Sequence, residues 1–315
     1  MNNHAFLNGF LLSGASGMLG SALRAELTRR GEPVAQLVRT VRNPTGELLW
    51  NPASEPPMAS TTPIEGIRAA VHLSGANVGA QRWTSAYKRE MTESRVNSTR
   101  ALARMLAGLR QPPATLIVAS AVGIYGDRGG ELLNESSAAG SGFLAELCQH
   151  WEQAAEPARQ AGIRVVQMRL GVILGPGGAL AKMLPLFRLG LGGPLGSGCQ
   201  WMSWVSLEDA VRAILFAAQR PELQGPVNLT APEPVTNAAF TCALAHALAR
   251  PAVLRTPAFA LRLALGQMAS ETLLSSTRVF PSKLVNASFS FHHTTVDAAL
   301  AVALGNATAG NRALS

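Results

Sequence analysis

"FLLSGASGMLG", Phe10 to Gly20, is the stretch whose reading decides the fold. Phe10, Leu11 and Leu12 have the character of a short buried strand. They lead directly into Gly14-x-x-Gly17-x-x-Gly20. In a dinucleotide-binding turn the first glycine permits the tight bend. The second lets backbone approach a pyrophosphate, and the third lets the following helix pack closely on the strand. That helix is written in Leu19, Leu23 and Leu27, at four-residue spacing, and Gly31 ends it. Its N-terminal N–H groups and dipole would face the loop, a ready site for phosphate. A glycine-rich turn without ligand has the same letters. Strand, glycines and helix in that order favour the nucleotide.

The next strand narrows the choice of nucleotide. Val34–Val38, "VAQLV", is followed by Arg39, with Arg42 just beyond, and no acid lies between Glu32 and Glu47. A site built for NAD places an acid near this point to accept from the ribose 2′-hydroxyl, whereas an arginine suits a 2′-phosphate. The expected cofactor is therefore NADP.

Composition removes several function classes. The chain has 315 residues, 47% hydrophobic and 15% charged, as expected of a globular protein with one large core or two joined lobes. The net charge of +8 is carried almost entirely by dispersed arginines. No dense basic run with interleaved aromatics marks a nucleic-acid partner. Cys148, Cys199 and Cys242 are far apart, and the histidines form no ligand set, so neither a metal nor a disulfide framework is expected. No uninterrupted apolar stretch is long enough to span a membrane. Asn97, Asn228 and Asn286 begin Asn-x-Ser/Thr triplets, but no secretory leader is recognisable. A cytoplasmic protein acting on a small molecule is expected, without nucleic-acid or membrane partners.

Strand and helix patterns alternate from residue 9 to about 175, which predicts an α/β, Rossmann-type doubly wound parallel sheet. "AAVHLSGA", "ATLIVASAVGIYG" and "RVVQMRLGVILG" read as strands. "SAYKREMTESRVNSTRALARMLAGL" and "FLAELCQHWEQAAEPARQAG" read as helices. After Gly175 the elements shorten and glycine and proline joints multiply. We expect residues 1–175 to form the NAD(P)-binding domain, its core completed by later segments. Residues 176–305 form a smaller C-terminal substrate lobe, and residues 306–315 a flexible tail.

Several blocks together resemble a known group. "RWTSAYKREMTESRV", "SAVGIYG", "FLAELCQHWEQAA", "RLGVILGPGGAL", "PLFRLGLGGPLGSGCQWMSWV", "GPVNLTAPEPVTN" and "RVFPSKL" are similar to the YfcH-like family. These are atypical, epimerase-like extended short-chain dehydrogenase/reductases with their own C-terminal domain. The likeness covers about residues 9 to 302 and implies an NADP-bound Rossmann domain, with no settled substrate. It carries cofactor contacts to Gly14, Ser16, Gly17, Met18, Leu19 and Gly20, to Val38 and Arg39, and to Leu73, Ser74 and Gly75. Glu90 and Arg95 are further cofactor candidates, and Asn97 matches the helix asparagine that supports the active site in related reductases.

Ordinary reductases of this fold use a serine with Tyr-x-x-x-Lys, the tyrosine passing the proton and the lysine lowering its pKa. Ser120, closing "LIVAS", stands where the serine belongs. With Glu152 as anchor, Leu144 takes the tyrosine position and Cys148 the lysine position. The relay is missing. Tyr125, five residues after Ser120 in a loop flanked by Gly123 and Gly126, is a replacement proton donor or a packed loop tyrosine. Two readings stay open: an NADP-dependent oxidoreductase or epimerase with an unusual relay through Ser120 and Tyr125, and a catalytically silent NADP-binding redox sensor or partner-binding protein.

Overall fold

The computed structural model describes residues 6–305. The expected tail, 306–315, lies outside the described residues. Seven parallel strands make the central sheet. They are β1 (Phe10–Ser13), β2 (Val34–Val38), β3 (Glu47–Leu49), β4 (Ala69–His72), β5 (Thr115–Ala121), β7 (Arg164–Leu170) and β11 (Gly225–Leu229). Their spatial order is β3-β2-β1-β4-β5-β7-β11. The chain order reverses between β1 and β4, and ligands of such sheets sit beyond the strand ends at that crevice.

Alternate residues of each strand serve opposite faces. Phe10, Leu12, Val71, Ile117 and Val166 pack under α1 (Met18–Arg29) and α6 (Leu207–Gln219). Leu11, Ala70, Leu116, Val118 and Val165 pack under α2 (Ser85–Ala107) and α4 (Glu156–Gln160). Thr84 caps α2 through its hydroxyl, accepting from the Tyr87 N–H at 3.2 Å. Residues beyond Gly175 are integral to this core: α6 packs on α1, and β11 extends the sheet beside β7.

Two expected elements are broken. The reading of residues 164–175 as one strand is corrected at Gly171, where β8 (Val172–Leu174) departs to pair with β10 (Trp204–Ser206). A Cβ at Gly171 would fall 2.7 Å from the Ser203 carbonyl, so only glycine lets the chain cross there. The expected single helix from residue 143 to 162 is α3 (Phe143–Gln153) followed by α4. Pro157, which lacks an N–H, sits in the first turn of α4, where that loss is harmless.

The smaller lobe has its own core of Leu180, Phe187, Trp204, Phe240, Leu244, Val296 and Leu300. Its core draws on α5 (Gly178–Arg188), α7 (Asn237–Leu248) and α10 (Val296–Ala303); α8 (Ala258–Leu265) adds no residue to it, and α9 (Ser282–Asn286) packs on β11 of the main sheet. Small pairings tie it down: β12 (Val235–Thr236) with β9 (Trp201–Met202), and β13 (Arg278–Val279) with β6 (Leu132–Leu133).

Candidate cofactor and active site

The crevice between β1 and β4 is shaped by its glycines. Gly14 has φ +80°, and a Cβ there would sit 2.7 Å from Leu73 of the neighbouring strand end. A Cβ at Gly20 would fall 2.1 Å from the Gly14 carbonyl oxygen, so helix and loop meet backbone to backbone. Gly17 differs: its Cβ would meet nothing closer than 3.5 Å, and it is exposed with Ser16. Gly14 and Gly20 are thus structural requirements, and Gly17 keeps an open approach. No side chain caps α1, and its first turn holds no acid. The N–H groups of Met18 and Leu19 are the orphan donors that a helix start leaves for a ligand. Across the crevice the Ser13 and Ser74 hydroxyls meet at 2.5 Å. These features fit a pyrophosphate.

The other expected cofactor residues fall around this loop. Val38 is half-buried at the end of β2. Arg39 is exposed and has neither hydrogen bond nor ion pair to another described residue. Leu73 and Ser74 are half-buried, and Gly75 is exposed. Arg95 comes over from α2, buried at 7% exposure. A Cβ on Gly75 would touch its guanidinium at 3.1 Å. Arg95 donates to the carbonyls of Met91 (3.1 Å) and Ala76 (2.8 Å) and lies 5.1 Å over the Trp151 ring. It has no acidic partner, and burial pushes its pKa down. A buried cation left in this state is suited to an anionic ligand. Glu90 and Asn97 are exposed on α2, and their side chains make no hydrogen bond within the described residues.

Both residues of the expected relay lie in a buried network. Ser120 is 1% exposed and donates to Glu152 Oε1 at 2.7 Å. Arg169 clasps the same carboxylate with Nε (2.8 Å) and Nη2 (2.9 Å), and its Nη1 donates to the Tyr125 hydroxyl at 2.9 Å. Tyr125, fully buried, donates onward to Asn228 Oδ1 at 2.7 Å. Its pKa is raised, because burial outweighs the stabilising Arg169 charge. The phenol is buried against β7 and β11, with both its donor and acceptor capacity used. Ser120 and Tyr125 do come together, but in a sealed structural network. Ala121, Val122 and Gly123, half-exposed, form the open end of β5 instead.

The positions of the missing relay are packed. Leu144 lies against Gly123, and Cys148 is buried, its thiol pushed up to about 12 chiefly by burial and then by the Glu152 charge. Among the described residues no three His, Cys, Asp or Glu side chains are grouped to hold a metal.

Residues 10–229 match the model of the NAD dependent epimerase/dehydratase family, and residues 256–303 match a domain of unknown function, DUF1731. The chain belongs to the NAD dependent epimerase/dehydratase family. Epimerase family protein Mb2239 of Mycobacterium bovis is 48% identical over 295 residues, covering 93% of this chain and 96% of that one. A chloroplastic epimerase family protein SDR39U1 homolog of Arabidopsis thaliana is 37% identical over 75% of this chain and 68% of its own. The crystal structure of human epimerase family protein SDR39U1 with NADPH superposes with a TM-score of 0.86 at 31% identity, over 94% of this chain and 99% of that one. With the C-terminal domain present, the chain is of the atypical, epimerase-like short-chain dehydrogenase/reductase type.

In this family member the residues missed by sequence reasoning are Arg169, Asn228 and the structural role of Glu152. One signal was available. Arg169 interrupts the apolar strand between Met168 and Leu170, and a charge there must have a buried partner.

Two outcomes follow for stability. Tyr125→Phe leaves Asn228 and Arg169 short of a partner and is expected to cost about 1–3 kcal/mol. Arg169→Met strands a buried carboxylate and is expected to cost about 3–5 kcal/mol. Denaturant unfolding of both variants checks this, and an unchanged Tyr125→Phe midpoint would remove the network from the account.

His72, at the end of β4, is wholly buried, with Nε2 3.0 Å from Ser98 Oγ and Nδ1 without a partner. Burial lowers its pKa to about 4. The unfolded chain therefore takes up this proton first as pH falls. Stability from this group is complete above the ordinary histidine pKa of 6.5, declines through that value, and levels off near pH 4. His72→Gln should flatten that part of the stability–pH curve. A wild-type slope retained in the variant would contradict it.

Proposed function

We propose that the protein binds NADP(H) and works as an oxidoreductase or epimerase-type enzyme on a small molecule, without a Tyr-x-x-x-Lys relay. The observation that carries this is the pairing of an open phosphate cradle with two cations free of acidic partners, Arg39 at the end of β2 and Arg95 beside Gly75. The NADPH held by the related human protein supports the choice of NADP. Met18 and Leu19 N–H groups would hold the pyrophosphate, and Arg39 the 2′-phosphate. Arg95 reaches from α2 toward Cys148, the lysine position of ordinary reductases, and stands in for its positive charge. When bound, the nicotinamide supplies or accepts hydride.

The residues then decide where substrate can stand. Ala121, Val122 and Gly123 leave the end of β5 uncovered by side-chain bulk, which gives a substrate room beside the cofactor site. Ser120 and Tyr125 hold Glu152 and Arg169 in place, so the proton comes from solvent or from substrate itself. A second reading, a silent NADP-binding sensor, is favoured by the burial of both hydroxyls. A cytoplasmic location, with no nucleic-acid partner, belongs to the proposal. No helix among the described residues is long and apolar enough to cross a membrane.

Calorimetric titration separates the cofactors. A charge-assisted contact of about 1.5–3 kcal/mol makes NADPH bind roughly 10- to 100-fold tighter than NADH, and Arg39→Ala should remove most of that preference. Equal affinities for the two cofactors in the unaltered protein would overturn the assignment. NADPH consumption in a carbonyl-compound screen supports the enzyme, and its absence across the screen supports the sensor.

A further inference from the structure

The smaller lobe carries two exposed apolar stripes that its core leaves unused. On α5, Leu186 and Leu189 are 55% and 72% exposed, in line with Lys182 at four- and seven-residue spacing. On α8, Phe259 and Leu263 are 71% and 77% exposed, in line with Gly266, and α8 has no buried residue at all. An eight-residue helix of sequence "AFALRLAL" with nothing buried is abnormal for a surface helix, whose apolar side normally faces a core.

Both stripes are pinned at one end to the same loop, the one that follows β4 and the cofactor crevice. Lys182 Nζ donates to the Gly79 carbonyl, and the Arg82 guanidinium lies against Gly266, about where a Cβ would meet it at 3.5 Å. Lys88, at the start of α2, donates to Gln267 just past α8. At the other end the two helices are joined by a second apolar stretch. Leu254 N–H donates to the Gly192 carbonyl at 3.2 Å, a Cβ on Gly196 would meet Ala258 at 3.5 Å, and Leu191, Val253 and Leu254 stay exposed. The two stripes thus share neighbours at both ends, and we take them with Leu191, Val253 and Leu254 as one apolar tract that begins at the loop after β4.

The segments that build this tract carry charge of one sign. No acid occurs between Glu156 and Glu208 or between Glu233 and Glu271, the two segments that build it. Lys182, Arg188, Arg255 and Arg262 lie within those segments, and Arg82 and Lys88 stand at the loop end. None forms an ion pair within the described residues. Glu271, the nearest acid in sequence, is taken up by the N–H groups of Phe143 and Leu144 and by Gln267.

We propose that this tract is the substrate site and that its occupant is an amphiphilic anion: an extended hydrocarbon chain carrying a carboxylate or phosphate. The chain lies along Leu186, Leu189, Phe259 and Leu263, and the anionic group meets the cations at the loop end. The proposal rests on the cofactor reading above, with the dinucleotide in the crevice beside β4 and substrate room at the end of β5. A second copy of the chain is disfavoured as occupant, because two-fold contact would bring arginine against arginine. A nucleotide sugar would find hydrocarbon walls where its hydroxyls need partners.

The test is calorimetry on the NADPH-loaded full chain with monomeric saturated carboxylates and alkyl phosphates of increasing length, below their micelle concentrations, and with UDP-glucose. Affinity should rise about two- to fourfold per added methylene. Comparison of the two series identifies the head group. Leu263→Asp and Phe259→Ala, both at exposed positions, should each weaken the longer ligands about tenfold or more while leaving the NADPH affinity unchanged. The proposal is overturned by affinity independent of chain length, or by UDP-glucose binding that Leu263→Asp does not alter. Binding to anionic phosphatidylserine vesicles without binding of monomeric amphiphile overturns it too, as does a dimer that Leu263→Asp dissociates. A separate NADPH titration and the same amphiphile titrations without NADPH keep the two claims apart: no NADPH binding with chain-length dependence retained defeats the cofactor reading alone.

Discussion

The approach of Gly20 to the Gly14 carbonyl is the contact on which the rest depends. A single added carbon at Gly20 would sit 2.1 Å from that oxygen. Because none is there, α1 lies directly on the loop leaving β1, and its unsatisfied N–H groups point into the crevice beside β4. Gly14, at φ +80° and pressed on Leu73 and Ser74, fixes the other side. The strand order, the position of Arg39 at the end of β2 and the reach of Arg95 over Gly75 all take their meaning from this one close packing. It makes an anion site of what would otherwise be a buried turn.

A second constraint explains what the site lacks. Glu152 and Arg169 are both nearly buried, and each would be costly alone. Paired, and completed by Ser120, Tyr125 and Asn228, they form one buried network that links β5, β7 and β11. Arg169 keeps its proton firmly: burial works against the charge, but the Glu152 carboxylate more than offsets it. The hydroxyls that would serve a proton relay are instead spent on satisfying this pair. The fold thus keeps the glycine cradle of its family, while Ser120 and Tyr125 are held in a buried network.

The regular half of the fold was legible because its signals are local. Glycine spacing, four-residue leucine spacing and the end of β2 at Val38 are contained within a few residues of one another. The break at Gly171 was not legible, since apolar residues run on both sides and the reason for the turn is Ser203, over thirty positions later. The burial of Tyr125 is of the same kind: its partners, Arg169 and Asn228, come from two other strands. The exposure of α8 was equally illegible: which of its apolar residues stay uncovered, Phe259 and Leu263, is set by the assembled lobe.

A crystal structure of the protein with NADPH tests the central claim most directly. The account requires the pyrophosphate against the Met18 and Leu19 N–H groups and the 2′-phosphate at Arg39. It also requires Tyr125 still buried between Arg169 and Asn228, with no tyrosine hydroxyl within hydrogen-bond reach of the nicotinamide. A complex in which Tyr125 has left Arg169 and points at the nicotinamide would contradict it, and would restore the tyrosine as the proton donor.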